Sequence, residues 1–179
     1  MNKIIIITGD LASGKSSLAD SLSLALSIPN FKKDTIKEKY CDMYGYKTRE
    51  ENRELSVKAV NYMIDAFKKF AMQGNDIILE ANFRHSELEE IKDIALQYDY
   101  EVFLLVLRGD IEVLYQRFLS RVPTRHIAHM SMHLDESIEK YKAYVMEQRK
   151  EDLVFIPHII DTSKRETSEV LEIALEIVK

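Results

Sequence analysis

Residues 9–16 read Gly-Asp-Leu-Ala-Ser-Gly-Lys-Ser and directly follow the apolar run Ile4-Ile5-Ile6-Ile7-Thr8. Gly9 and Gly14 let the backbone turn tightly, so that successive N–H groups point into one concavity that can cradle phosphate oxygens. A helical pattern follows (Leu18, Leu22, Ala25, Leu26). The N-terminus of such a helix adds partial positive charge to the loop. In this arrangement Lys15 reaches the β- and γ-phosphates of a nucleoside triphosphate, and the Ser16 hydroxyl ligates Mg²⁺. The expected cradle is Gly9, Asp10, Leu11, Ala12, Ser13, Gly14, Lys15, Ser16 and Ser17.

A second group lies late in the chain. Arg117 and Arg121 are four residues apart, which puts them on one helix face, and Arg125 lies just beyond. Planar, permanently charged guanidinium forks suit phosphoryl oxygens. Carried on a closing segment over about 117–134, they would exclude water and neutralise charge on a transferring phosphoryl group. His126, His129 and His133 would share a face if that segment were helical, which raises a zinc reading, but no fourth ligand stands out.

These residues need a scaffold, and its pattern is visible. Apolar runs alternate with helical periods, the signature of a parallel sheet with crossover helices. Strands are expected at Lys3–Thr8, Ile28–Lys32, Asp76–Ala81, Glu101–Leu107 and Val154–Asp161, the fourth being apolar enough for a central strand. Helices are expected at about Gly14–Ser27, Thr35–Tyr44 (with Asp34 as its cap), Ser86–Gln97, Ile111–Ser120, Leu134–Lys150 and Glu166–Val178. A long helix opens on the capping box Thr48-Arg49-Glu50-Glu51 and ends at Gly74. The result is an α/β sandwich, a five-stranded parallel sheet with helices on both faces. Ligands in such sheets sit beyond the carboxyl ends of the strands, where Thr8, Lys33, Glu80, Arg108 and Asp161 gather.

With 179 residues and only five Gly and three Pro, the chain reads as one domain over 1–179. A net charge of −5 argues mildly against a nucleic-acid partner, while leaving room for a local basic groove. Cys41 is alone, so no intramolecular disulfide forms, and it is expected to be a small buried residue. The longest apolar runs fall short of the roughly 20 residues that span a bilayer. A cytoplasmic protein, monomeric or homodimeric, is expected.

The chain resembles the small P-loop kinases, a group that includes zeta-toxin-like kinases, chloramphenicol phosphotransferase, gluconate kinases and the kinase domain of polynucleotide kinases. The similarity rests on Gly9–Ser16, on Asp34-Thr35-Ile36-Lys37, on Glu80-Ala81-Asn82-Phe83-Arg84, on Arg117-Phe118-Leu119-Ser120-Arg121 and on Ile160-Asp161-Thr162-Ser163. The resemblance implies an ATP- and Mg²⁺-dependent kinase that phosphorylates a hydroxyl of a small molecule. Asp34 would be the base beside that hydroxyl, with Lys37, Glu80, Asn82 and Arg84 around the acceptor. Arg117 would stack on adenine near Thr162. Lys15, Arg121 and Arg125 would stabilise the transferring group.

The chain departs from this group in two places. Asp10 puts a carboxylate inside the phosphate loop, where it is expected to point outward. No acidic run follows the third strand beyond Glu80, which leaves Ser16, Asp34, Glu80 and water to handle the metal. Between Asp34 and the long helix, Tyr40, Met43, Tyr44, Tyr46, Arg49 and Arg53 are candidates for the acceptor pocket. Two rival readings stand beside the small-molecule kinase. One is a polynucleotide 5′-kinase or nucleotide kinase, and the other is a nucleotide-binding switch with little transfer activity.

Overall fold

Ile4, Ile5, Ile6 and Ile7 are all fully buried, which a strand achieves only when both faces of its sheet are covered. In the computed structural model, which describes residues Met1–Lys179, they form the core of β1 (Asn2–Gly9). β1 is central in a five-stranded sheet of order β2-β3-β1-β4-β5. The other strands are β2 (Asn30–Lys32), β3 (Ile77–Glu80), β4 (Tyr100–Arg108) and β5 (Pro157–Asp161), and every pairing is parallel. The expected architecture is therefore present: β1 lies in the middle, and β4, paired with β1 and β5, is interior as expected.

Alternation along β1 sends Ile4 and Ile6 to one face, and Ile5 and Ile7 to the other. On the first face α3 (Arg49–Gln73) and α4 (His85–Gln97) bury Met63, Phe67, Leu88 and Ile91. On the second, α1 (Lys15–Leu26) and α7 (Thr167–Ile177) bury Leu18, Leu22, Val170 and Ala174. A smaller cluster joins α5 (Ile111–Arg121) to α6 (Ile138–Gln148) through Leu114, Phe118, Tyr141 and Val145. Cys41, on α2 (Lys33–Tyr44), is buried beside Leu55 and Ala128.

Several boundaries differ from expectation for local reasons. Asp34 does not cap α2: the helix begins two residues earlier than expected, at Lys33, and Asp34 sits in its first turn. α6 starts at Ile138, where the Ser137 side chain accepts the Lys140 N–H, and not at Leu134. β5 starts at Pro157 because Val154 takes a left-handed conformation with φ 61°. The capping box at Thr48 and Glu51 forms with both of its bonds, and Gly74 closes α3 at φ 66°.

The phosphate loop is seated on β4. Asp10 N–H donates to the Leu107 carbonyl at 2.8 Å. Gly9 has φ 129°, and a Cβ there would stand 2.0 Å from that same carbonyl oxygen. Backbone strain and overpacking each cost about 1–3 kcal/mol. Gly9→Ala is therefore expected to lower unfolding stability by about 3 kcal/mol or more in urea titration, whereas Gly45→Ala, which meets no neighbour within 4 Å, should cost less.

Candidate active site

The carboxyl ends of the strands bring the predicted residues to one rim. β1 runs into the loop at Gly9, β3 ends on Glu80, and β2 hands directly to Lys33 and Asp34 on α2. Lys15 Nζ donates to the carbonyls of Gly9 at 3.0 Å and Asp10 at 2.7 Å, so the ammonium lies along the loop. Burial pushes the Lys15 pKa down, against the opposing pull of Glu80 and Asp34. The Ser16 hydroxyl donates to Glu80 Oε2 at 2.9 Å, and Glu80 is only 5% exposed. Burial raises the Glu80 pKa more than Lys15 and Ser16 lower it.

Asp34 faces the open cleft, with Lys33 Nζ 3.6 Å from Oδ1. Desolvation works to raise its pKa, but Lys33, His129, Lys15 and Lys37 together outweigh it and hold the carboxyl below its ordinary value. Asp34 therefore stands ionised at neutral pH. Lys33 is its complement: burial disfavours the ammonium, and Asp34, Tyr144, Glu80 and Glu87 more than restore it.

Asp10 corrects the expectation of an outward-pointing carboxylate. It is 2% exposed and meets Arg149 through two bonds, Nε to Oδ1 at 3.0 Å and Nη2 to Oδ2 at 2.6 Å. The Gly109 N–H also donates to Oδ2 at 3.0 Å, and Arg149 Nη2 donates to the Gly109 carbonyl at 2.9 Å. The side chain thus points away from the phosphate concavity, and its charge is neutralised behind the loop. Its N–H is committed to Leu107, so Asp10 has neither group free for phosphate. The loop is held a second time by the Tyr141 hydroxyl, which donates to the Leu11 carbonyl at 2.5 Å. Ser13 is held from within, its Oγ donating to the Asp10 carbonyl at 2.7 Å.

A cleft of about 340 Å³ joins the loop from Leu11 to Ser17 with Asp34, Glu80, Arg121 and Arg125. Beside it a cavity of about 220 Å³ lies between Gly14, Ser17, Arg117, Arg121, Thr162 and Val170. Arg117 Nη2 reaches the Ser163 carbonyl at 3.4 Å, and Thr162, 3% exposed, bonds the Arg108 carbonyl. The spacing of the arginines is thus realised around two adjoining spaces.

On the other side of Asp34, an inner chamber of about 170 Å³ holds Lys15, Lys33, Asn82, Arg125, His129 and Tyr144. It opens into an outer chamber of about 870 Å³ that shares Lys33, Asn82, Ser131 and Tyr144. Asn82 lines both chambers, whereas Arg84 reaches only the outer one. Lys37 is not a solvated side chain. It is 8% exposed and donates to the Ala128 carbonyl at 2.9 Å.

Arg49 and Arg53 line the outer chamber, but Tyr40, Met43, Tyr44 and Tyr46 do not. Tyr40 and Tyr46 pack on Cys41 and Leu55, and Met43 and Tyr44 are exposed. The three histidines do not converge. His126 pairs with Asp42, His129 with Glu38 and His133 with Glu136. No cluster of three His, Cys, Asp or Glu side chains is arranged to hold a metal.

Tyr144, Asn52 and Arg149 escaped the sequence reading, which placed Lys33 at the rim without giving it a role. Only Arg149 left a trace, in Asp10: a loop carboxylate that turns inward needs a cation beside it, and Lys15 is given to the loop carbonyls.

A parallel sheet whose first strand delivers a phosphate loop to the rim is the P-loop fold found in small kinases. The chain belongs to the AAA domain family, which it matches over residues 5–141. Comparison with curated proteins finds no match. Among solved structures, a protein from Chloroflexus aurantiacus J-10-fl is 22% identical, with 99% of each chain covered and a TM-score of 0.80. A shikimate kinase from Bacteroides thetaiotaomicron is 15% identical, with 98% of each chain covered and a TM-score of 0.67. A gluconokinase from Sinorhizobium meliloti 1021 is 14% identical, with 98% of this chain and 90% of that one covered and a TM-score of 0.61. These likenesses establish a shared fold. No helix is long and apolar enough to cross a membrane.

Removing one partner of a buried ion pair costs about 3–5 kcal/mol, because the other charge is left unpaired. Arg149→Ala is therefore expected to destabilise the fold by about that amount in urea unfolding. Asp10→Ala combined with Arg149→Ala should cost less than the sum of the two single changes, and additive costs would show that the pair is not coupled.

Proposed function

We propose that this protein is an ATP- and Mg²⁺-dependent kinase that transfers the γ-phosphoryl group to a hydroxyl of a small-molecule acceptor. The observation that carries this reading is one continuous cleft. The phosphate loop, Asp34, Glu80, Arg121 and Arg125 line the same space, with a nucleobase-sized cavity on one side and the acceptor chambers on the other. ATP rather than GTP is the donor in this reading, because no Asn-Lys-x-Asp segment for guanine occurs.

The residues present fit Mg²⁺. Ser16 and Glu80 offer a hydroxyl and a carboxylate 2.9 Å apart at the end of the loop. Mg²⁺ commonly takes one or two protein oxygens and completes its shell with water and substrate phosphates. Held by Ser16 and Glu80, the ion would supply positive charge to offset that of the nucleotide phosphates.

The chain's own groups supply the rest. Loop N–H groups and Lys15 hold the phosphates, while Arg117 and Thr162 border the base. Asp34, ionised at neutral pH, orients the acceptor hydroxyl toward the γ-phosphorus. The bond from the acceptor oxygen to phosphorus forms as the bond to the β–γ bridging oxygen breaks. ADP leaves, and the hydroxyl proton passes to Asp34 and then to water. Arg121 and Arg125 offset the negative charge spread over the transferring group.

Incubation with Mg²⁺-ATP and pools of sugars, sugar acids, sugar phosphates, nucleosides, antibiotics and 5′-hydroxyl oligonucleotides tests this reading. Transfer to one pool is expected, and Asp34→Asn should lose about 10²–10⁴-fold in kcat while retaining ATP affinity. Normal transfer by Asp34→Asn would remove Asp34 from the role of base. Tight ATP binding with no transfer to any pool would favour a nucleotide switch.

A further inference from the structure

The two outer strands of the sheet leave an edge open, and they are guarded differently. β2 has three residues, ends on Lys32, which pairs with Asp20 at 2.8 Å, and passes directly into α2. β5 carries no Lys or Arg, and its Pro157, His158 and Ile159 are exposed, Ile159 at 55%. Ile156, just before it, is 87% exposed. A strand edge of this kind is a template for another strand unless charge, a bulge or a covering element blunts it. Pro157 is the one guarding residue, and it sits at the first position of the strand.

The pairing of β5 with β4 fixes where its backbone groups point. The Thr162 N–H donates to the Arg108 carbonyl at 2.8 Å, and the register runs from Pro157 beside Leu104 to Asp161 beside Arg108. Successive residues of a strand bond to opposite sides. His158 and Ile160 therefore bond inward to β4, whereas Pro157, Ile159 and Asp161 turn their groups outward. Ile159 offers both an N–H and a carbonyl, Asp161 an N–H, and Pro157 a carbonyl. Pro157 has no N–H to give, and the Asp161 carbonyl already accepts from Arg165 Nη1 at 2.5 Å.

This set of groups is complementary to itself. In an antiparallel pair centred on Ile159, each Ile159 exchanges both bonds with the partner's Ile159, and each Asp161 N–H meets the partner's Pro157 carbonyl. The missing Pro157 donor falls opposite the carbonyl that Arg165 already serves. The charges outside the strand match as well. Lys164 and Arg165, which follow β5 and have no carboxylate within 4.0 Å, come to the end where the partner's Glu151 and Asp152 precede its β5. Apolar surface flanks the strand in Ile156 and in α7, which packs on β5 and keeps Leu171, Ile173 and Ile177 only partly buried.

We propose that this protein forms a two-fold homodimer in which β5 pairs antiparallel with β5 of a second copy, centred on Ile159, so that one sheet runs through both chains. Each chain has one such edge, so the contact closes on a dimer and does not propagate into a filament. The proposal stands apart from the kinase reading, and its test needs no substrate.

Sedimentation equilibrium of the full chain across micromolar concentrations should show a particle of twice the 20.9 kDa chain mass. Ile159→Pro removes an outward N–H without touching an inward bond, and should raise the dimer dissociation constant about tenfold or more. Ile159→Lys, which places a charge on the exposed edge, should do the same and decides the matter if the proline variant fails to fold. Urea unfolding and nucleotide affinity of the lysine variant should stay near those of the parent, because Ile159 lines none of the cavities around the cleft. Orientation is read with Ile159→Cys. Opposed residues of a hydrogen-bonded antiparallel pair have Cα atoms about 5.5 Å apart, within disulfide reach, so mild oxidation should link two chains at that position. Lys68→Cys, on the exposed side of α3, should not link, and the native Cys41 is buried. A monomer at every concentration, a dimer that survives Ile159→Lys, or Ile159→Cys that links no better than Lys68→Cys overturns the proposal.

Discussion

A carboxylate buried inside a loop that must receive phosphates is the constraint around which this site is arranged. Left facing the concavity, Asp10 would repel the triphosphate; turned inward alone, it would carry an unpaired charge into a dry interior. The structure resolves the conflict by bringing Arg149 from the end of α6 to meet both carboxylate oxygens. The hydrogen bonds to Asp10, opposed by burial, also raise the Arg149 pKa above its usual value, so the guanidinium remains charged. Because Tyr141 on the same helix bonds the Leu11 carbonyl, α6 acts as a brace behind the phosphate loop. The loop's shape is therefore set by residues far away in the chain as well as by its own glycines.

That brace has a consequence for the segment joining α5 to α6. Its two ends are fixed, one on the helix bearing Arg117 and Arg121, the other on the helix that clamps the loop. Its middle rests on α2, α3 and the turn between them. The Ala128 carbonyl accepts from Lys37 at 2.9 Å and from Asn52 at 3.1 Å, and the Ile127 carbonyl accepts from the Tyr46 hydroxyl at 2.8 Å. A charge-assisted bond of the Lys37 kind contributes about 1.5–3 kcal/mol, more than exposed pairs such as His126 with Asp42. Arg125, three residues before Ala128, is thus placed over the cleft by contacts made on the acceptor side. One connector thus spans from the helix that bears Arg117 and Arg121, past the wall formed by Lys37, Tyr46 and Asn52, to the helix that braces the phosphate loop.

How much of this was legible in the sequence depends on whether a feature is local. The Gly9–Ser16 loop, the Thr48 capping box and the alternating isoleucines of β1 are written within a few residues, because backbone turns, caps and strand faces are decided there. Sheet order was less visible. β4 reads as apolar as β1, and only the full order β2-β3-β1-β4-β5 reveals which lies in the middle. The start of α2 was misread because Asp34 is a good cap by type, whereas the chain leaving β2 is already helical at Lys33. Asp10 was misread for a different reason. Its partner lies 139 residues away, and no periodicity carries information over that distance. The same holds for Lys37, whose burial is decided by the Ala128 carbonyl across the cleft.

Net charge proved a coarse guide to what such a chain binds. A value of −5 argues against an extended polyanion held on the protein surface, and that argument concerns the long-range field. A chamber works on a shorter scale. At physiological salt charges are screened beyond about 8 Å, so a ligand inside it responds mainly to the side chains that line it. Here Asp10 is neutralised by Arg149, whereas Glu87 and Glu151 accept backbone N–H groups and keep their charge. At the starts of α3 and α4, Arg49, Arg53 and Arg84 stand against Glu50, Glu87 and Glu151. What a small ligand meets in a chamber is therefore decided by the lining side chains more than by the sum of the charges.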